Sequence, residues 1–112
     1  MKYKLTDETK NLDEVILHRI ECVNAFADVK VGDKGGWIEK ESNLSQTGSA
    51  WVYGDAQVWG DAQVFGNARV YDNSEVLDHA LVYGDATLYD MVRVSDYAEV
   101  YGNAQIYFDA EV

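Results

Sequence analysis

Every sixth residue from Val52 to Val112 is Val, Leu or Ile: Val52, Val58, Val64, Val70, Val76, Val82, Leu88, Val94, Val100, Ile106 and Val112. Two residues ahead of each stands a small side chain, Ala50, Ala56, Ala62, Ala68, Ser74, Ala80, Ala86, Ala98, Ala104 and Ala110, broken only by Val92. A period of six would wander around a helix, but in an extended chain positions two and six apart share one face. The intervening residues are mostly polar, as in Gln57, Gln63, Arg69, Glu75, Thr87, Arg93, Glu99 and Gln105. Each unit therefore reads as a very short strand with one buried side. It closes on Gly54, Gly60, Gly66, Gly84 and Gly102, or on Asp72, Asp78, Asp90 and Asp96, residue types that tolerate positive φ or support a bend. A flat ribbon of this pattern leaves its apolar line bare. Coiling it into a solenoid stacks each unit on an equivalent one and gives a continuous interior.

The repeated phrase WVYGDAQVWGDAQVFGNARV resembles the hexapeptide-repeat family. That resemblance implies an all-β fold, a left-handed parallel β-helix of triangular section with about 18 residues per coil, hence roughly 3.5 coils over 50–112. Handedness follows from the resemblance alone. A second likeness runs through Leu17-His18-Arg19-Ile20, Phe26 to Glu39, Asn43-Leu44-Ser45-Gln46 and Trp51-Val52-Tyr53-Gly54. It resembles a group of phage-borne and bacterial hexapeptide proteins with a shared N-terminal cap, sometimes labelled transferases without a demonstrated reaction. The division expected is a small N-terminal β cap over 1–49 and the β-helix over 50–112, folding as one unit. In the cap, Val15 to Val23 alternates as a strand does, and Gly32-Asp33-Lys34-Gly35-Gly36 reads as a turn rather than a phosphate loop. His18, Ile20 and Cys22 share one face of that strand and read as cap packing.

Charge is concentrated in the repeats. Residues 1–49 hold nine acids and seven bases, and residues 50–112 hold eleven acids against Arg69 and Arg93 alone. Such a field repels nucleic acid and acidic membranes and favours a protein partner with a basic surface. No apolar run is long enough to span a bilayer, which places the chain in the cytoplasm as an expectation. One cysteine excludes an internal disulfide, and two histidines with it supply too few ligands for a structural zinc. Neither a metal nor a cofactor is expected.

Grouping by coils gives three sides. Tyr53, Tyr71, Tyr89 and Tyr107 align as a ladder on one corner. Trp59, Leu77, His79, Leu81 and Tyr97 interrupt the pattern together on the second side and form a candidate partner-binding surface. The third, with Phe65, Tyr83 and Tyr101, is plain repeat. At the C-terminus Phe108 replaces the expected corner Gly or Asp, so Tyr107, Phe108 and Val112 mark either a plug or an end-to-end homodimer, the latter favoured.

Three functions fit this pattern. The favoured one is a non-enzymatic binding module, an acidic inhibitor of a host nuclease or defence complex such as CRISPR, with Asp55, Asp61, Asp85, Glu75, Glu99 and Glu111 imitating phosphates. The alternative is a trimeric acyltransferase of the hexapeptide type, in which His79 is the candidate base. Against it stand the lack of an evident polar group to orient His79 and of any long loop to wall a groove. The third is a self-assembling structural module. The zinc-dependent carbonic anhydrases of this fold use three histidines, and this chain has two.

Overall fold

A computed structural model describes residues 1–112. Thirteen strands make three sheets. Three belong to the cap, β1 (Tyr3–Leu12), β2 (Val15–Cys22) and β3 (Lys34–Ile38). The other ten are two-residue strands: β4 (Trp51–Val52), β5 (Gln57–Val58), β6 (Gln63–Val64), β7 (Arg69–Val70), β8 (Glu75–Val76), β9 (Leu81–Val82), β10 (Thr87–Leu88), β11 (Arg93–Val94), β12 (Glu99–Val100) and β13 (Gln105–Ile106). Their order is β1-β2-β3-β5-β8-β11, β4-β7-β10-β13 and β6-β9-β12. Each strand from β4 to β10 pairs in parallel with the strand three further on, Val52 with Val70, Val70 with Leu88 and Leu88 with Ile106. This is a β-solenoid of three-sided coils, 18 residues to a turn, as the six-residue period predicts.

The columns form the interior. Val52, Val58, Val70, Val76, Val82, Leu88 and Val94 are wholly buried, as are Ala50, Ala56, Ala68, Ala80 and Ala86. The fit works because a small residue two before each branched one leaves room for the side chains arriving from the other two walls.

The corners show how the chain turns. All ten corner residues from Gly54 to Phe108 have φ between 56° and 68°. Non-glycine residues pay roughly 1 kcal/mol or more for this left-handed backbone, and the aspartates recover part of it. Asp72 Oδ2 accepts the Asp90 amide, Asp78 Oδ2 the Asp96 amide and Asp90 Oδ2 the Phe108 amide, each at 2.9 Å. Carboxylate on amide is the stronger class of hydrogen bond.

The expected break at residue 49 is not a structural one. Strand β3 pairs in parallel with β5, Ile38 opposite Val58, and Leu44 bridges Val64. A first coil thus begins inside the cap, with Gly36 in the small-residue column: a Cβ there would lie 2.5 Å from Ala56 O and 2.7 Å from Val52 Cγ1. From Ile38 to Leu44 is one hexapeptide step, but Leu44 to Val52 is eight residues, and the two extra hide the register. The antiparallel β1–β2 hairpin then covers the outer edge of β3. Within it Ile20 and Cys22 are buried, as the cap reading expects, while His18 is half-buried and faces the Thr6 carbonyl at 3.2 Å.

Two polar residues fasten the cap to the coils. Asn43 is wholly buried; its Oδ1 accepts the amides of Glu39 (3.1 Å) and Lys40 (2.9 Å), and its Nδ2 donates to the carbonyls of Gly60 (3.2 Å) and Ala62 (2.9 Å). Lys2 Nζ donates to the carbonyl of Ala50 at 2.8 Å, one of the edge groups with no coil before it.

Candidate functional site

The second corner of the solenoid gathers the side chains best suited to chemistry. Its residues lie between β5 and β6, between β8 and β9 and between β11 and β12, and the 18-residue step sets Asp61, His79 and Tyr97 one above another. Each backbone is held by the next coil: the amide of Asp61 donates to Asp78 O and that of His79 to Asp96 O, both at 2.8 Å. Asp61 Oδ2 lies 3.6 Å from His79 Nδ1. The His79 ring stacks on Tyr97 with centroids 4.8 Å apart and planes within 10°. On the far side, Lys40 Nζ is 3.0 Å from Asp61 Oδ1. Lys40, and more weakly His79, hold the Asp61 carboxyl below the usual carboxylate range.

This arrangement corrects the expectation that nothing orients His79. A carboxylate oxygen 3.6 Å from one ring nitrogen and an aromatic face stacked on the ring flank the imidazole, and half of its side chain is exposed. The signal lay in the numbering: residue 61 is one full coil before residue 79.

The rest of the expected partner surface is less apolar than its residue types suggest. Leu77 is buried at 7% exposure, beneath the corner, and Trp59 and Leu81 are half-buried, so Tyr97, at 77%, is the one large apolar group standing free. Leu81 lies on β9 between Gln63 and Glu99.

The six acidic residues do not share a face. Asp55 sits at the first corner, 3.7 Å from Arg19 Nη2; Glu75 lies 3.6 Å from Arg93 on the sheet beyond it. Asp85, at the third corner, accepts from Asn67 at 3.1 Å, and Glu99 from Tyr83 OH at 3.0 Å. Glu111 pairs beside Arg93 at the last coil. Most are occupied by neighbours within the chain.

The aromatic ladders also differ from expectation. Tyr53 stacks on Tyr71 at 4.3 Å and Tyr89 on Tyr107 at 5.3 Å, two separate pairs. The unbroken ladder is Phe65–Tyr83–Tyr101, with steps of 4.8 and 5.4 Å. At the last coil Phe108 packs edge to face on Tyr107 at 4.9 Å and stays 70% exposed, so it turns the corner rather than plugging the interior. Beside it an open groove of about 580 Å³ runs down the first corner past Asp55, Asp72, Asp90 and Met91.

No protein-family profile matches the chain. Over 60 residues, 46% of this chain, it is 35% identical to a protein of Escherichia coli (strain K12) named "Uncharacterized acetyltransferase YdcK". The matched stretch is 18% of the length of that protein. Repeat and stacked coils fit a hexapeptide-repeat β-helix. The same likeness overturns the favoured expectation of a non-enzymatic inhibitor of a nuclease or CRISPR complex, because the similar protein is named as an enzyme. No helix in the chain is long and apolar enough to cross a membrane.

Proposed function

We propose that this chain carries an acyl-transfer site of the hexapeptide type, centred on His79. The observation that carries the reading is the Asp61–His79–Tyr97 column; the likeness to a protein named as an acetyltransferase supports it.

In this reading His79 Nε2 takes the proton from an acceptor hydroxyl or amine as that atom attacks the carbonyl carbon of an acyl thioester. The carbon–sulfur bond breaks, the new ester or amide forms, and the proton passes from Nε2 to the departing thiolate. Asp61, against Nδ1, keeps that nitrogen protonated and steadies the imidazolium formed midway. The corner is convex within one copy. A side wall therefore comes from a second molecule, and we assign the working form to a trimer, as the hexapeptide acyltransferase reading implies.

The test is release of free thiol from acetyl-coenzyme A in the presence of a panel of small amines and alcohols. The wild type is expected to turn over, and His79→Gln to lose about 100-fold or more, the range for removing a general base, with an unchanged circular dichroism spectrum. Sedimentation is expected to give a trimer. Equal rates for the wild type and His79→Gln, or no thiol release at any acceptor, would overturn the reading.

A further inference from the structure

The second corner holds one group that the acyl-transfer reading leaves without a role. Lys40 belongs to the cap, not to the repeats, yet its ammonium reaches the carboxylate that faces His79. We propose that Lys40 is a positioning residue: by binding one oxygen of Asp61 it turns the other towards His79 Nδ1, and so selects the tautomer that presents a bare Nε2 to solvent. Its consequence for catalysis rests on the acyl-transfer reading, while the geometry does not.

Asn43 makes the reach of Lys40 specific. Its Oδ1 fixes the Lys40 amide, and its Nδ2 grips the carbonyls of Gly60 and Ala62, on either side of Asp61. One buried side chain thus sets both partners of the pair on a common frame. The other carboxylates nearby are engaged or turned elsewhere. Glu39 Oε1 accepts the Gly60 amide at 2.9 Å, standing in for the corner aspartate that the cap lacks, and Asp78 Oδ2 accepts the Asp96 amide. Asp96 lies one coil below the corner residue Asp78, and the ring of His79 is covered on that side by Tyr97. Asp61 is the carboxylate left to face Nδ1, and without a second anchor its single exposed χ1–χ2 pair has no reason to keep an oxygen there.

The experiment is nitrogen-15 NMR of the His79 ring in the wild type, Lys40→Met, Lys40→Arg and Asp61→Asn, at a pH where the ring is neutral. The wild type is expected to show mainly the Nδ1–H form. Lys40→Met and Asp61→Asn should each shift the ratio by about threefold or more towards the Nε2–H form that an unassisted imidazole prefers, and Lys40→Arg should restore it. Backbone amide shifts away from the corner report that each variant is folded. A tautomer ratio identical in the wild type and Lys40→Met overturns the proposal. Since no thioester is used, a shifted tautomer in a protein that never releases thiol would sink the acyl-transfer reading and leave this one standing.

Discussion

Ser74 stands in the column Gly36–Ala56–Ser74–Val92–Ala110, small but for Val92, with no solvent exposure and a hydroxyl that meets no hydrogen-bond partner. A buried hydroxyl left unpaired costs roughly 1 kcal/mol or more relative to a methyl. Ser74→Ala, which restores the residue found at most equivalent positions, is therefore expected to raise stability by about 1 kcal/mol, read as a higher midpoint in urea with an unchanged slope. His79 teaches the reverse lesson at the same scale. Read as one letter among its neighbours, it offered no partner. Its carboxylate lies a full coil away and becomes visible only when the chain is folded into rows of 18.

Among elements, the three corners solve one problem by two routes. On the third corner Gly48, Gly66, Gly84 and Gly102 stack so closely that a Cβ on Gly84 would lie 2.8 Å from Gly102 N. The first and second corners admit aspartate, whose carboxylate then caps the coil below. Gly84→Ala should lose about 2 kcal/mol, combining left-handed strain with the clash; chemical denaturation measures it, and a loss under 0.5 kcal/mol would contradict the packing argument. The strands and corners were legible because burial and positive φ each leave a residue type behind at fixed spacing. Strand β1 was not, since its alternation is blurred by a shift of register between Leu5 and Thr9. The first coil was missed for a different reason. Two extra residues between Leu44 and Val52 break the period, and Gly36 does not resemble the alanines whose place it takes.

For the whole molecule, the N-terminal edge is sealed by a lysine that burial affects strongly. Desolvation brings Lys2 down to about 8 from its ordinary 10.5, against a smaller opposing effect of Cys22. The unfolded chain then binds more protons than the folded one between these two values, and the Lys2 contribution to stability rises with pH across that window. Tyr3 and Tyr53 act oppositely, because burial pushes both phenols above their ordinary 10.0. The folded protein keeps those protons longer, and their contribution falls once the pH passes 10. Stability of the wild type minus that of Lys2→Met, followed by urea titration from pH 7 to 10, should climb from about pH 8 upward; a flat difference would remove the Lys2 argument.

The step of 18 residues from each column member to the next has an evolutionary corollary. Since each turn meets its neighbours through the same set of contacts, duplicating or excising one turn joins surfaces that already match, and the lesion heals as a change of height. Lineages carrying such a chain can lengthen or shorten it without redesigning the interior, while singular features such as the Lys40–Asp61–His79 row stay tied to the end that the hairpin covers.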